Sequence, residues 1–214
     1  MCLISLKTKE ASYYFPLYLY PDDHNKTLIE KASKSDCVLN LSNEFLQVIN
    51  ELLGTEPTPE EIFYYMYAVL YSPTYRKRYT EFLKIDFPRI PLPTDYEQFK
   101  RLSELGSELV ELHLLKHPSL AKVGVGFPVG DSNTVEKVRY VEEYERVYFN
   151  KTQYFEGVPK EVWEYQIGGY QVLAKYLKDR KRKLSLEEIE HYMKVVKALK
   201  RTIEVQTEID EVFL

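Results

Sequence analysis

The final stretch of the chain, Ser185 to Phe213, spaces Ile189, Tyr192, Val196, Leu199 and Ile203 three or four residues apart. That period puts all five on one side of an α-helix, and Ser185 followed by Glu188 is a capping-box signature for its start. A helix of this length cannot bury its apolar face alone, so the rest of the chain must supply a layer for it. Three long helices are among those expected upstream. Ser42 caps one that carries Phe45, Val48, Ile49, Leu52 and Leu53 and stops at Gly54. Thr58-Pro59-Glu60-Glu61 opens a second, combining a cap residue, a first-turn proline and two acids that suit a helix N-terminus. Its buried face is expected at Phe63, Met66, Tyr67 and Leu70. A third runs from Asp95 to His117 with Phe99, Leu102, Leu105, Leu109 and Leu112 as its stripe, and Gly106 inside it signals close packing.

Between the second and third helices, Ser72-Pro73 ends one segment and Thr74 opens a short helix through Phe82. Pro88, Pro91 and Pro93 then make Asp86 to Thr94 an extended connection with few backbone donors. Strands are expected at Cys2 to Ser5, Tyr13 to Tyr20, Lys122 to Phe127, Val135 to Val141 and Val147 to Phe155, where β-formers lie between turn residues. Pro21 to Asp36 reads as loop. Pro159 to Tyr165 suggests a helical turn, Ile167-Gly168-Gly169 a break, and Tyr170 to Lys178 a helix. This order predicts an α+β fold with a mixed or antiparallel sheet, packed helices and a long C-terminal helix. The 214 residues, 44% of them hydrophobic, suffice for one domain with a sizeable core. A mainly helical portion is expected over about 42–117, and a β then helical portion over about 121–214.

A net charge of -4 argues mildly against a general nucleic-acid binder, because counterion release rewards a basic footprint. Distribution matters more than the sum. Ala174 to Lys183 holds six cations and one acid, whereas Leu184 to Leu214 holds seven acids and four bases. The two cysteines, Cys2 and Cys37, lack metal-ligand spacing and read as free thiols of an intracellular protein. The opening MCLISLKTK is too short an apolar run for a secretory signal, and no stretch approaches a membrane span. A cytoplasmic location is expected.

No catalytic motif is present: no glycine-rich phosphate loop, no GxSxG and no HExxH. His113 and His117 could share a metal on a helix face, but two ligands are too few and His113 lies on the apolar stripe. No catalytic or metal residue is assigned. Two segments point elsewhere. Arg76-Lys77-Arg78, flanked by Tyr75 and Tyr79, reads either as a solvated helix face with tyrosines packed inward or as phosphate contacts with a hydroxyl beside them. IGGYQVLAKYLKDRKRK, Ile167 to Lys183, combines a glycine turn, a helix start that suits an anion, Gln171 and Lys175 on one face, and a run of cations.

These blocks, YYMYAVLYSPTYRKRYTEFLKIDFPRIPLP, LGSELVELHLL and VYFNKTQYFEGVPKEVWEYQIGGYQVLAKYLKDRKRKLS, with the opening CLISLKTKEASYYFPLYLYP, resemble the C-terminal specificity region of the type I single-polypeptide restriction-modification enzymes and related adenine-specific DNA methyltransferases. The resemblance covers nearly the whole chain. It implies a target recognition domain, a fragment of a larger enzyme whose upstream methyltransferase domain binds S-adenosylmethionine. Neither that domain's glycine-containing cofactor motif nor its NPPY-type motif occurs here, so no cofactor is expected in this chain. The implied partners are double-stranded DNA and the methyltransferase domain of the same polypeptide. Arg76, Lys77, Arg78, Lys84, Lys175, Arg180, Lys181, Arg182 and Lys183 are the candidate phosphate contacts, and Tyr170 and Gln171 the candidate readers of base edges. Within the resembling block Arg76 to Arg89, internal ion pairs are the other reading of the same cations. A protein-interaction scaffold that docks through Ser185 to Phe213 is the alternative function.

Overall fold

The computed structural model describes residues 15–20, 37–121, 124–180 and 182–213. The expected strand Cys2 to Ser5 and the expected loop Pro21 to Asp36 lie outside them. From the second expected strand, β1 (Tyr18–Leu19) pairs antiparallel with β2 (Val38–Leu39).

The helical half begins with α1 (Asn43–Leu53), where the Ser42 hydroxyl accepts from the Phe45 amide at 3.2 Å and Gly54 ends the helix at φ 66°. Only Ile49 and Leu53 of its expected face are buried. Val48 and Leu52 stay 46% and 41% exposed, because α1 touches the core along one narrow edge. Helix α2 (Pro59–Tyr71) starts at the capping box formed by Thr58 and Glu61. Its most buried stripe is Ile62, Tyr65, Ala68 and Val69, one position off the expected Phe63, Met66, Tyr67 and Leu70, of which Met66, Tyr67 and Leu70 pack half-buried around the same core. Apolar all round, α2 is covered on several sides, so its period singles out no face.

Ser72 closes α2 and caps α3 (Pro73–Arg78). The helix ends at Arg78 and does not continue to Phe82; just beyond it the Thr80 hydroxyl donates to the Arg76 and Lys77 carbonyls at 2.6 and 3.0 Å. The proline-rich connection is extended and is held by the Tyr75 and Tyr65 hydroxyls, which donate to the carbonyls of Arg89 and Pro91. Helix α4 (Tyr96–His113) buries all five residues of its expected stripe. It stops short of His117, with Leu115 at φ 55° and Pro118 beyond it. Gly106 carries α4 across α2 so closely that a β-carbon there would overlap the Tyr64 carbonyl oxygen.

In the β half, β3 (Arg139–Val141), β4 (Arg146–Tyr148) and β5 (Tyr154–Glu156) form an antiparallel meander with Tyr140 opposite Val147 and Val147 opposite Phe155. The expected single strand Val147 to Phe155 is therefore two. Asn150 breaks it, since its side-chain oxygen accepts the amides of Thr152 and Gln153 at 3.0 and 2.7 Å and turns the chain back. Of the expected strand Val135 to Val141 only the last three residues pair as β3, and Gly126 adds a single bridge to Glu156.

Short helix α5 (Lys160–Glu164), hairpin β6 (Gln166–Ile167) with β7 (Tyr170–Gln171), and α6 (Val172–Lys178) lead to α7 (Leu186–Phe213). The α7 capping box is present, the Ser185 and Glu188 amides each meeting the other's side chain. Ile189, Tyr192, Val196 and Leu199 pack into the β half with Phe149, Phe155, Leu173 and Leu177. Ala198, Val205 and Ile209 pack into the helical half with Leu102, Leu105 and Tyr75. One helix thus serves two hydrophobic cores. Arg201 on α7 grips Glu108 of α4 through Nε at 2.5 Å and Nη2 at 3.0 Å, and Asp210 caps α3 by accepting from the Ser72 and Thr74 hydroxyls and the Thr74 amide. The result is the α+β fold expected, with every strand pair among the described residues antiparallel.

Candidate nucleic-acid interface

The glycine turn is a tight hairpin. Gly168 and Gly169 both take left-handed backbone, at φ 57° and 80°, the geometry a two-residue loop needs to match strand twist. Ile167 then faces Tyr170 and Gln166 faces Gln171 across the ladder. This corrects the expectation that the helix runs from Tyr170. Gln171 precedes α6 and does not share a helix face with Lys175. Its side-chain amide donates to the Trp163 carbonyl at 3.3 Å, and the Val172 amide at the start of α6 donates to the Tyr165 carbonyl. Tyr170 is 62% exposed, with the Lys175 ammonium 5.1 Å from its ring centre. Lys175 also pairs with Asp179 at 2.8 Å.

Downstream, the basic run folds back on the cap of α7. Glu188 accepts from Arg182 at 2.7 and 2.9 Å, from Arg180 at 3.2 Å and from the Ser185 amide at 3.0 Å. Hydrogen bonds from Arg182 and Ser185 hold its carboxyl down at about 2, so it is anionic throughout the neutral range. The Arg180 guanidinium also lies 3.6 Å over the Tyr176 ring. Lys178 and Lys183 are exposed and form no ion pair among the described residues. Lys181 lies outside the described residues.

The other basic segment divides in the same way. Arg76 donates from Nε to the Leu70 carbonyl at 2.6 Å and lies 4.6 Å over the Tyr71 ring. Lys84 pairs with Glu81 at 2.7 Å and Arg89 with Asp86 at 3.7 Å. Tyr75 is buried and Tyr79 half-buried, so the flanking rings face the core. Lys77 and Arg78 remain exposed and without an ion pair among the described residues. Nearby, His113 is a packing residue. The Tyr67 hydroxyl lies 2.8 Å from Nδ1 and the Thr202 hydroxyl 3.3 Å from Nε2, and burial, with Arg76 nearby, lowers its imidazole to about 4. No group of three potential metal ligands is found among the described residues.

One polar assembly was not anticipated from the sequence. Gln153 is fully buried, and its side-chain oxygen accepts from the Asn133 amide and the Asn150 side chain, both at 2.8 Å. Its nitrogen donates to the Val129 carbonyl at 3.0 Å and to Asn133 Oδ1 at 2.7 Å. Asn150 also donates to the Thr134 carbonyl. Asn and Thr interrupting the aromatic run FNKTQYF were the available signal, since turn formers inside a β pattern mark a break.

The family model of the Type ISP C-terminal specificity domain matches residues 1–208. No curated protein matches the chain significantly. Among solved structures it is similar to the ATP-dependent Type ISP restriction-modification enzyme LlaBIII bound to DNA, with a TM-score of 0.66 at 20% identity over 91% of this chain and 14% of that one. The DrdV–DNA complex gives a TM-score of 0.66 at 23% identity over 80% of this chain and 20% of that one. A nuclease-deletion mutant of LlaGI in complex with a DNA substrate mimic gives 0.56 at 22% identity over 72% and 14%. The chain thus spans a fifth or less of the length of each of these proteins. With a specificity-domain match from residue 1 to residue 208 and the same fold in the LlaBIII enzyme, this chain belongs to the Type ISP C-terminal specificity domain family.

Proposed function

We propose that the chain recognises duplex DNA sequence as the target recognition module of a larger restriction-modification polypeptide. The observation that carries this reading is the match to a specificity domain over residues 1–208. Three structures of similar fold are, by their own descriptions, complexes with DNA or a DNA mimic. In this reading Lys77, Arg78 and Lys183, which form no ion pair among the described residues, are the first phosphate contacts, and Lys181 joins them. Arg76, Lys84, Lys175, Arg180 and Arg182 contribute once phosphate competes with their present partners. At the hairpin Tyr170 stands exposed for contact with the duplex, while the Gln171 side chain, expected to read a base, is held by the Trp163 carbonyl. S-adenosylmethionine-dependent adenine methylation belongs to the methyltransferase domain of the same parent polypeptide, and work on DNA inside a cell goes with a cytoplasmic location. No helix among the described residues is long and apolar enough to cross a membrane.

The scaffold alternative draws no support from α7, whose apolar face is spent on the molecule's own two cores. Fluorescence anisotropy on labelled duplex, titrated with salt, tests the proposal. Binding should weaken steeply with salt, and Lys77→Gln with Arg78→Gln should lower the log-log slope by about 0.9 per lost contact. Glu188→Gln, which frees Arg180 and Arg182 and keeps an amide able to cap Ser185, should tighten binding to every duplex. Salt-insensitive binding, or none, would overturn the reading.

A further inference from the structure

The glycine hairpin is poorly furnished for reading base edges. There the Gln171 side chain is committed to Trp163, and the exposed side chains flanking the glycines are Ile167 and Tyr170, at 52% and 62% exposure. The loop Gly130 to Asn133 is built differently. Its backbone is fixed from beneath by the buried Gln153 and Asn150 amides. From the side it is stitched to the end of the basic band, with Val135 and Leu184 amides donating to the Arg182 and Asn133 carbonyls and a bridge pairing Thr134 with Lys183. Asn133 sits at φ 58°, a left-handed position that asparagine tolerates better than most residues.

This framework leaves Asp131, Ser132, Lys151 and Thr152 exposed together at one rim, with Thr152 Oγ1 donating to Asp131 Oδ2 at 2.9 Å. Lys151 and Lys183 flank it from the two neighbouring segments, and neither has an ion pair among the described residues. The chemistry is that of a groove reader. Asp131 can accept from the cytosine amino group, Ser132 can serve either kind of base edge, and two cations stand ready for the backbone on either side. Because the loop is held rigid before any partner arrives, little ordering cost is left for binding.

We infer that the rim of Asp131 and Ser132, bracketed by Lys151 and Lys183 and positioned by Gln153, is the surface that reads base edges of duplex DNA. This inference rests on the DNA-recognition reading above and names its site. Selection of the full 214-residue chain against a random-sequence duplex pool, followed by anisotropy on the enriched duplex across a salt series, tests it. Asp131→Asn keeps an oxygen for Thr152 and exchanges a pure acceptor for an amide that suits adenine, so the enriched motif should change at one base pair without a shallower salt slope. Lys151→Gln with Lys183→Gln should keep the motif, lower the slope by about two and weaken every duplex about tenfold or more. An unchanged motif in the first variant, an unchanged slope in the second, or no motif enriched by the unsubstituted chain would overturn the inference while salt-dependent DNA binding persists. Absence of duplex binding by the unsubstituted chain would overturn the DNA reading itself, and this site with it.

Discussion

The two halves of the molecule use buried polar groups for opposite purposes. In the helical half they tie one regular element to another: Ser103 of α4 donates to the Glu61 carbonyl of α2, Gln206 of α7 to the Tyr71 carbonyl of α2, and Asp210 reaches from α7 to cap α3. In the β half, whose central strands are only three residues long, they tie loops to the sheet through Asn150 and Gln153. Short strands cannot fix the direction of long connections, so side-chain amides do it. Rigidity in the first half preserves packing, and rigidity in the second preserves the shape of an exposed surface.

Three measurements test that contrast. The largest effect is expected at Gly106. Alanine there would normally favour a helix by about 1 kcal/mol, but its β-carbon meets the Tyr64 backbone. Denaturant unfolding should show a loss of about 3 kcal/mol or more, whereas Gly130→Ala, with nothing near its β-carbon, should change stability little. A comparable loss at Gly130 would refute the contrast. Next comes acidification. His113 titrates at about 4 in the folded chain against an ordinary 6.5, so the fold prefers the neutral ring. The stability this provides is complete above pH 6.5 and is lost as pH falls toward 4, about 3 kcal/mol in all. His113→Gln should flatten that part of the stability-pH curve. A smaller global loss, about 2 kcal/mol, is expected for Gln153→Ala, which strands the Asn133 amide and the Val129 carbonyl. Hydrogen exchange should quicken in residues 129–134 and leave α2 and α4 protected. Equal quickening in both halves would show that the two cores are not separately organised.

How much of this was legible beforehand follows from range. Caps at Ser42, Thr58 and Ser185 use contacts three residues apart, and every one forms as its local pattern predicts. The α4 stripe and the tight Gly106 crossing were equally visible, because a glycine among leucines weakens a helix unless a neighbouring backbone needs the space. The α2 face was not, since a helix that is apolar on all sides carries no phase. The basic run hid its own neutralisation. Arg180 and Arg182 look free in the sequence, yet the carboxylate that binds them is the capping residue of the next helix, reachable only once the turn at Lys183 to Ser185 exists. The recognition loop depended on Gln153 meeting Asn133, twenty residues away, which no local pattern announces. Family resemblance spoke to the class of the molecule, and geometry to which side chains stand free.

Because α7 serves one core near its start and the other near its end, with the two contact sets interleaving from Ala198 to Ile203, its 28 residues work as a keyed shaft. One residue inserted near Lys200 would turn everything beyond it by about 100° and advance it by about 1.5 Å, so the helical half could no longer meet the sheet half in the same orientation. Substitutions on the outer side of that helix leave the alignment untouched. Its length is therefore more constrained than most of its letters.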